Sequence, residues 1–246
     1  MEEAQKEHAI LKISEEIKKR YPNLAIGVVI GRNVSNKKKH PDLEQFKRDS
    51  ENKLRNSPWS SKDLSEHPFI AAWRDTYRSF GVNPKKYTPT AESMIRRILK
   101  GNALPNISVI VDAYLAVEIN CFLPIGGYDL DTICGDITLR FSPGNELFYP
   151  LGGGESKLTK PGEVVYSDDK QVLTTKWNFL DCDSTKITLD TKNFILCMER
   201  ADSRISLDSL KEATKTLRKV LEQFCPGDFE DFIIYGSSSK SNNCHL

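Results

Sequence analysis

Long apolar runs and an excess of charge of either sign are both absent from this 246-residue chain. No segment approaches the roughly 20 consecutive apolar residues of a membrane-spanning helix, and the opening MEEAQKEHAI is acidic where a signal peptide would be basic. We therefore expect no membrane partner and a cytoplasmic location. The 35 Lys and Arg nearly balance the 34 Asp and Glu. Any affinity for nucleic acid must then come from a local patch.

Signatures of metal and cofactor sites are also missing. The chain has four histidines and no CxxC pair, and it lacks GxSxG, HExxH, GxxxxGK[ST] and a strand followed by GxGxxG. The segment LGGGESK at 151–157 lacks the spacing of a phosphate loop, so we interpret it as a hairpin tip. We expect reduced buried thiols, no metal and no cofactor. The cysteines are Cys121, Cys134, Cys182, Cys197, Cys225 and Cys244.

The order of helix and strand signals predicts an α+β fold in one composite domain, 1–246. Helical spacing dominates up to residue 125, beginning with Ile10, Ile13 and Ile17, and a helix is favoured for VIVDAYLAVEIN at 109–120. Strand-length runs between Gly, Pro and Asp clusters follow. A helical N-terminal part should thus pack on a β-rich C-terminal part. The predicted strands are LAIGVVI at 24–30, ITLRF, GEVVYS, VLTTKWNF, KITL and NFILCME.

Three more helices have clear start and stop signals. One begins at Pro68 and carries an aromatic stripe that should be core; another begins at Thr88-Pro89; a third begins at Ser206 and ends before Cys225. Turn chemistry in SDDK at 167–170 predicts a hairpin. The tail 236–246 should be disordered. The stripe consists of Phe69, Trp73, Tyr77 and Phe80.

Two segments in the β-rich part could form a ligand pocket. In IGGYDLD at 125–131, adjacent glycines could expose backbone amides to an oxyanion beside Asp129, although a plain turn fits equally well. In KWNFLD, Trp177 and Asn178 could supply a ring wall and an amide. Glu199 ends an apolar strand, where a carboxylate is costly unless it is exposed or belongs to a pocket.

One local excess of positive charge occurs in residues 74–100, with seven basic and two acidic side chains. Lys85, Lys86, Arg96 and Arg97 could contact phosphates while Tyr87 offers a stacking surface. A solvated helix face is the alternative interpretation.

Three long segments together resemble the stand-alone B3/B4 domain family. They are FIAAWRDTYRSFGVNPKKYTPTAESMIRRILKGNALPNISVIVDAYLAVEINCFLPIGGYDLD, GEVVYSDDKQVLTTKWNF and TKITLDTKNFILCMER. The family is similar to the editing domain in the beta subunit of phenylalanyl-tRNA synthetase, and the resemblance runs from about Phe69 to Phe224. It implies a B3/B4-like fold with a pocket between the two parts.

The resemblance also implies a substrate and candidate residues. The synthetase domain hydrolyses the ester of a wrongly attached amino acid on tRNA, and a glutamate at the place of Glu199 recognises the side chain of that amino acid. Gly126 stands where that domain has a histidine, and Leu115 and Glu118 replace an asparagine and a serine of stand-alone members.

Two functional hypotheses follow from the residues and the resemblance. The first is a deacylase that acts in trans on mischarged tRNA, with Glu199, Trp177, Asn178 and Asp129 contacting the substrate and backbone amides of Gly126 and Gly127 at the carbonyl. The alternative is a non-catalytic module that binds an amino acid, an aminoacyl group or RNA. In both cases the partner is tRNA or aminoacyl-tRNA.

Overall fold

A computed structural model describes residues 10–236 and 244–245 of the chain. This part contains six α-helices, and most of them begin at a residue whose side chain caps the first turn, such as Ser108 and Ser206. The helices are α1 (Glu15–Arg20), α2 (Pro41–Arg55), α3 (Pro68–Ser79), α4 (Thr90–Leu99), α5 (Val109–Cys121) and α6 (Leu207–Phe224).

The described strands form three sheets. Their bounds are β1 (Ile10–Ile13), β2 (Ala25–Arg32), β3 (Ile125–Asp129), β4 (Ile137–Phe141), β5 (Leu147–Phe148), β6 (Lys157–Leu158), β7 (Val164–Ser167), β8 (Val172–Thr175), β9 (Leu180–Asp181), β10 (Phe194–Arg200), β11 (Asp228–Tyr235) and β12 (Cys244–His245).

Two of these sheets shape the site. The larger has the order β12-β1-β4-β7-β8-β9, and the second has the order β11-β2-β10-β3. Apart from the parallel pair β1–β4, every ladder is antiparallel. β10 lies between β2 and β3, and its residues from Phe194 to Glu199 are all buried. The second sheet therefore holds Glu199 inside the protein. β5 and β6 form a separate hairpin.

The predicted α+β class is confirmed. Helices α3 to α6 and strands β2 and β10 lie where the sequence patterns predict them, and the hairpin at SDDK joins β7 to β8. The hairpin tip predicted for LGGGESK lies between β5 and β6, which pair antiparallel.

Three sequence predictions about secondary structure were wrong. The isoleucine spacing that favours one helix spans strand β1 and helix α1, because Leu11 pairs with Ile137 of β4. The run KITL at 186–189 forms no strand, and VLTTKWNF is a strand only over Val172–Thr175. The chain turns at Lys176 and Trp177, both of which have left-handed backbone angles (φ 51° and 71°).

The prediction of a disordered tail falls mainly on residues outside those described. Within 236–246 the structure describes Gly236 and the strand β12, which pairs with β1. In the described part of the chain, no helix is both long enough and apolar enough to traverse a lipid bilayer.

Candidate functional site

A small polar recess lies where the two main sheets meet the turn between β8 and β9. Its volume is about 20 Å³, which is room for about one water molecule. Four of the residues predicted for the site line it: Gly126, Trp177, Asn178 and Glu199. The remaining lining residues are Thr90, Ile125, Tyr128, Tyr166, Thr174, Asp181 and Cys197.

Glu199 is the carboxylate that β10 carries into this recess. Its side chain is 3% exposed, and the Tyr166 hydroxyl donates to Oε1 at 2.7 Å. Burial raises the pKa of Glu199 to about 7, against the lowering effect of Tyr166 and Asn178, and Asp181 raises it further. Glu199 can therefore accept a hydrogen bond as a carboxylate or donate one as an acid near neutral pH.

Trp177 forms the wall of the recess. The left-handed turn at Lys176 and Trp177 directs the indole inward, where its ring centroid lies 4.8 Å from that of Tyr21 and 5.3 Å from that of Trp73. The indole is fully buried. The aromatic stripe of α3 thus supports the recess, since Trp73 belongs to it.

Asn178 is held by the same helix. The Tyr77 hydroxyl donates to Asn178 Oδ1 at 2.7 Å, which fixes the amide beside Glu199. The sequence pattern predicts that Trp177 and Asn178 lie at the end of the strand VLTTKWNF. They lie in the turn that follows β8 instead.

Several buried polar atoms around the recess have no hydrogen-bond partner in the described part of the chain: Thr90 Oγ1, Glu118 Oε2, Trp177 Nε1 and Asn178 Nδ2. Thr90 and Asn178 are near enough to lower the pKa of Glu118 and Glu199, respectively, without reaching hydrogen-bond geometry. Because buried polar groups are normally paired, this concentration indicates a place for a polar ligand or water.

Two further carboxyls were not selected as site residues from the sequence. Asp181, on β9, accepts a hydrogen bond from Thr174 Oγ1 at 2.5 Å, and burial raises its pKa to about 6. Glu118, on α5, accepts from the Ile125 amide at 3.1 Å, and burial raises its pKa to about 8. Glu118 could have been selected from the sequence because it is a charged residue inside the apolar run VIVDAYLAVEIN. Asp181 does not lie in an apolar run, so no comparable pattern marks it.

A larger cleft of about 370 Å³ opens next to the recess. Thr90, Ile125 and Asp181 line both spaces, so the recess and the cleft are neighbours. α4 and α5 form one wall, and β3 and β9 contribute to the other. The other lining residues are Lys86, Thr88, Ser93, Met94, Pro105, Ile107, Val111, Tyr114, Leu115, Glu118, Leu151, Phe179 and Leu180.

A basic groove of about 500 Å³ lies next to the cleft, and Lys86, Phe179 and Leu180 line both. We call it the lysine groove because four lysines line it: Lys86, Lys157, Lys160 and Lys176. The rings of Tyr87 and Phe179 meet edge to face there at 5.3 Å.

The lysines of this groove differ in their partners. Lys176 pairs with Glu163 at 3.1 Å and lies 4.8 Å from the Tyr87 ring centroid. Lys157 and Lys160 are exposed, and neither has an acidic partner within the described part of the chain. These two amines are available to an anionic ligand.

The predicted basic patch is only partly present at this site. Lys86 lines both the cleft and the lysine groove, and Lys85 beside it is exposed. Arg96 is instead paired with the buried Glu92 at 2.6 Å, and Arg97 donates to the carbonyl of Ala103 at 2.7 Å. Neither arginine lines the cleft or the groove.

The two glycines lie in strand β3, and no bend forms there. The amides of Ile125 and Asp129 donate away from β10, to Glu118 Oε1 and to the carbonyl of Thr185. Since amides alternate along a strand, the Gly127 amide also faces the open edge and the Gly126 amide faces β10. Of the two predicted backbone donors, Gly127 is therefore the one with an amide at the open edge, and it lines another cavity, of about 400 Å³, instead of the recess or the cleft.

Asp129 lies at the end of the same strand but does not line the recess. Its carboxylate accepts from the Thr191 hydroxyl at 2.5 Å and from the Asp131 amide at 3.0 Å. These bonds join two loops, which is a structural role.

Among the residues that the structure describes, no histidine lines the recess. His67 stacks on Phe122 with ring centroids 4.1 Å apart, and burial lowers its pKa to about 4. Neither it nor His40 lines the recess or the cleft. Among the residues that the structure describes, no group of three His, Cys, Asp or Glu side chains is arranged to hold a metal ion.

Comparison with known proteins identifies a family and similar proteins. The model of the B3/4 domain matches residues 72–224. The chain is 30% identical over 113 residues to the phenylalanine–tRNA ligase beta subunit of Ralstonia nicotianae, a match that covers 46% of this chain and 13% of that protein.

A solved structure is also similar. The crystal structure of an N-terminal fragment of the phenylalanyl-tRNA synthetase beta subunit from Pyrococcus horikoshii superposes with a TM-score of 0.46 and 14% identity, over 95% of this chain and 56% of the fragment. The family match covers well over half of the sequence and confirms the predicted resemblance. The chain belongs to the B3/4 domain family.

Proposed function

We propose that this protein hydrolyses, in trans, the ester that links a noncognate amino acid to tRNA. The observation that carries the proposal is that three neighbouring spaces, a carboxyl-lined recess, a cleft and a lysine groove, share lining residues. An aminoacylated RNA end has the matching order of groups: a polar amino-acid side chain, an ester and a phosphate backbone.

In this proposal the lysine groove binds the RNA end. Lys86, Lys157 and Lys160 contact phosphates, while Tyr87 and Phe179 offer ring surfaces to a base. The relatives named above are subunits of enzymes that act on tRNA, which supports tRNA as the partner.

The amino acid occupies the cleft, with its polar end at the recess. A chamber of about 20 Å³ admits only a small group such as a hydroxyl. Glu199 and the Asn178 amide offer that group an acceptor and a donor. An amino acid without such a group leaves these buried atoms unpaired, and this is the physical basis of discrimination.

The ester carbonyl then lies by the edge of β3, between the cleft and the neighbouring cavity that shares Tyr114, Leu151 and Asp181 with it, where the Gly127 amide can donate to the oxyanion that forms. One well-placed donor of this kind is worth about 3 kcal/mol in the transition state. The reaction adds water to the ester and releases the free amino acid and the RNA hydroxyl, so it needs no electron transfer.

The test is a deacylation screen with purified protein and a panel of mischarged tRNAs. We expect the rate with at least one tRNA to exceed its spontaneous rate, and Glu199→Ala to change the order of preference among amino acids. Spontaneous rates across the whole panel would contradict hydrolysis.

A second candidate function is a non-catalytic module for the same ligands. It is favoured by Gly126, which brings no side chain to the recess, and by the position of His40 and His67 outside it. Calorimetric titration with charged and uncharged tRNA separates the two candidates, because tight binding without turnover supports the module.

A further inference from the structure

Asp181 occupies a junction that no other carboxylate of the site occupies. It lines the recess, the cleft and a third cavity of about 400 Å³. Glu199 lines the recess only, and Glu118 lines the cleft. Asp181 is therefore the carboxylate that all three spaces share.

The surroundings of Asp181 leave one of its oxygens free. Thr174 Oγ1 is 2.5 Å from Asp181 Oδ1 and also 2.5 Å from the Tyr128 hydroxyl, so a chain of hydrogen bonds fixes the carboxylate. Oδ2 accepts no hydrogen bond from the described residues.

Gly126 leaves space in front of that free oxygen. A Cβ atom at position 126 would lie 3.6 Å from Asp181 Oδ2, so the carboxylate faces a residue that has no side chain. A histidine or any longer residue at this position would cover Oδ2. The glycine keeps it accessible.

The nucleophilic water of this proposal lies on the cleft side of Asp181. The recess, of about 20 Å³, has room for one small group only, and the polar end of the amino acid occupies it. The cleft, of about 370 Å³, is also lined by Asp181 and has room for both the ester and a water beside the carboxylate.

We propose that Asp181 is the general base of the hydrolysis, a step that rests on the function proposed above. Asp181 Oδ2 takes a proton from the water, whose oxygen forms a bond to the ester carbonyl carbon. The bond between that carbon and the ribose oxygen then breaks. The proton passes from Asp181 to the ribose oxygen, so the products are the amino acid and the RNA hydroxyl.

The acid strength of Asp181 suits this role. Burial raises its pKa to about 6, so the carboxylate predominates at neutral pH while still holding a proton well. The other titratable or charged groups that face it from neighbouring elements are Tyr114 and Glu118 on α5, Tyr128 on β3, Cys197 and Glu199 on β10, and Lys86 and Lys186 at the cavity mouths.

The experiment compares Asp181→Asn with a control, Asp190→Asn. The Asp190 side chain is exposed and lines none of the three cavities. In single-turnover deacylation we expect Asp181→Asn to lose about 10²–10⁴-fold in rate and the control to stay within about threefold. Affinity for a non-hydrolysable aminoacyl analogue should remain within about threefold in both variants.

A pH profile adds a readout that a purely structural role would not give. The wild-type rate, corrected for spontaneous hydrolysis, should rise up to about pH 6 and then level off. Thr174→Val removes a hydrogen bond that lowers the pKa of Asp181, so the rise should move to higher pH.

The outcomes distinguish a wrong assignment of the general base from a wrong function. Deacylation by Asp181→Asn at a rate near that of the wild type, or an unmoved profile in Thr174→Val, would overturn the assignment of Asp181 alone. A wild-type protein without deacylase activity would overturn the proposed function and the base together.

Discussion

The recess and the lysine groove are neighbours that handle charge in opposite ways. In the recess, burial raises the pKa of Glu199 to about 7 and that of Asp181 to about 6, which favours their neutral forms. In the groove, Lys157 and Lys160 extend into solvent. The recess is built from the core of two sheets, and the groove is built from surface segments around β6.

Because of this difference, we expect the recess to determine which ligand is selected and the groove to determine how tightly a polyanion binds. A buried polar chamber discriminates strongly between ligands because an unpaired buried group is costly. An exposed row of amines binds any polyanion, with an affinity that falls as salt rises. If both belong to one site, variants in the recess should change ligand preference or stability, and variants in the groove should change salt-dependent affinity.

The largest expected effect tests whether the recess belongs to the core. Trp177→Ala removes a fully buried indole that packs on Tyr21 and Trp73, so we expect a loss of about 3–5 kcal/mol in the free energy of unfolding. Urea unfolding measures it. Lys157→Ala, in the groove, should change stability by less than about 0.5 kcal/mol. Equal losses of unfolding free energy in the two variants would contradict the contrast between a core recess and a surface groove.

The next largest effect concerns Asp129, which ends the strand that contributes Gly126 to the recess. Asp129→Ala deletes two hydrogen bonds, to Thr191 and to the Asp131 amide, and we expect a loss of about 2 kcal/mol in stability. The affinity for aminoacyl-tRNA should not change at a pH and temperature where the variant is folded. Weaker binding of aminoacyl-tRNA by the folded variant would show instead that Asp129 contacts the ligand.

A third prediction sharpens the role of the groove. Lys157→Ala combined with Lys160→Ala should weaken tRNA binding about tenfold, about 1.4 kcal/mol. The slope of log affinity against log salt should fall by about 1 for each lysine. Fluorescence titration over a salt series measures both.

The control for the lysine pair is Arg97→Ala combined with Lys100→Ala. These residues belong to the predicted basic patch but do not line the groove. A drop in slope as large as that of the lysine pair would place the RNA on α4 instead.

The smallest expected effect depends on pH. The folded-state pKa of Glu118 is about 8, above its ordinary value of 4.5, so the folded protein binds this proton more tightly than the unfolded chain. The resulting stability is complete below about pH 4.5 and is lost as pH rises toward 8. Glu118→Gln has no such proton.

Urea midpoints at two pH values test this prediction. Wild type and Glu118→Gln should be equally stable near pH 5, and near pH 8.5 the variant should be more stable by about 1 kcal/mol or more, the equivalent of one pKa unit. Glu15→Gln, at an exposed carboxyl, is the control and should show no gain at the higher pH. A constant difference between wild type and Glu118→Gln would contradict the raised pKa.

Sequence patterns predict those parts of the molecule that local periodicity determines. The helices with one apolar face, such as α4 and α6, and the buried strand β10 belong here. Glu199 could be selected because a carboxylate that ends an apolar strand needs a reason to be there.

Sequence patterns fail where the structure depends on contacts between residues that are distant in the chain. β1 could not be distinguished from a helix, because the isoleucine spacing is ambiguous until β4 pairs with it. A helical wheel places Arg96 toward solvent, but its ion pair with Glu92 also involves Arg74 of another helix. Asp181 reaches the recess only because the chain turns at Trp177, where the sequence favours a continuous strand.

The most direct test of one continuous site is a calorimetric titration with two RNA ligands, one bearing a non-hydrolysable 3′-aminoacyl group and one without it. The account predicts that the aminoacyl group increases affinity for the wild type, that Glu199→Ala abolishes this increase, and that the lysine pair weakens both ligands while preserving it. Equal affinities of the wild type for the two RNAs would contradict the account.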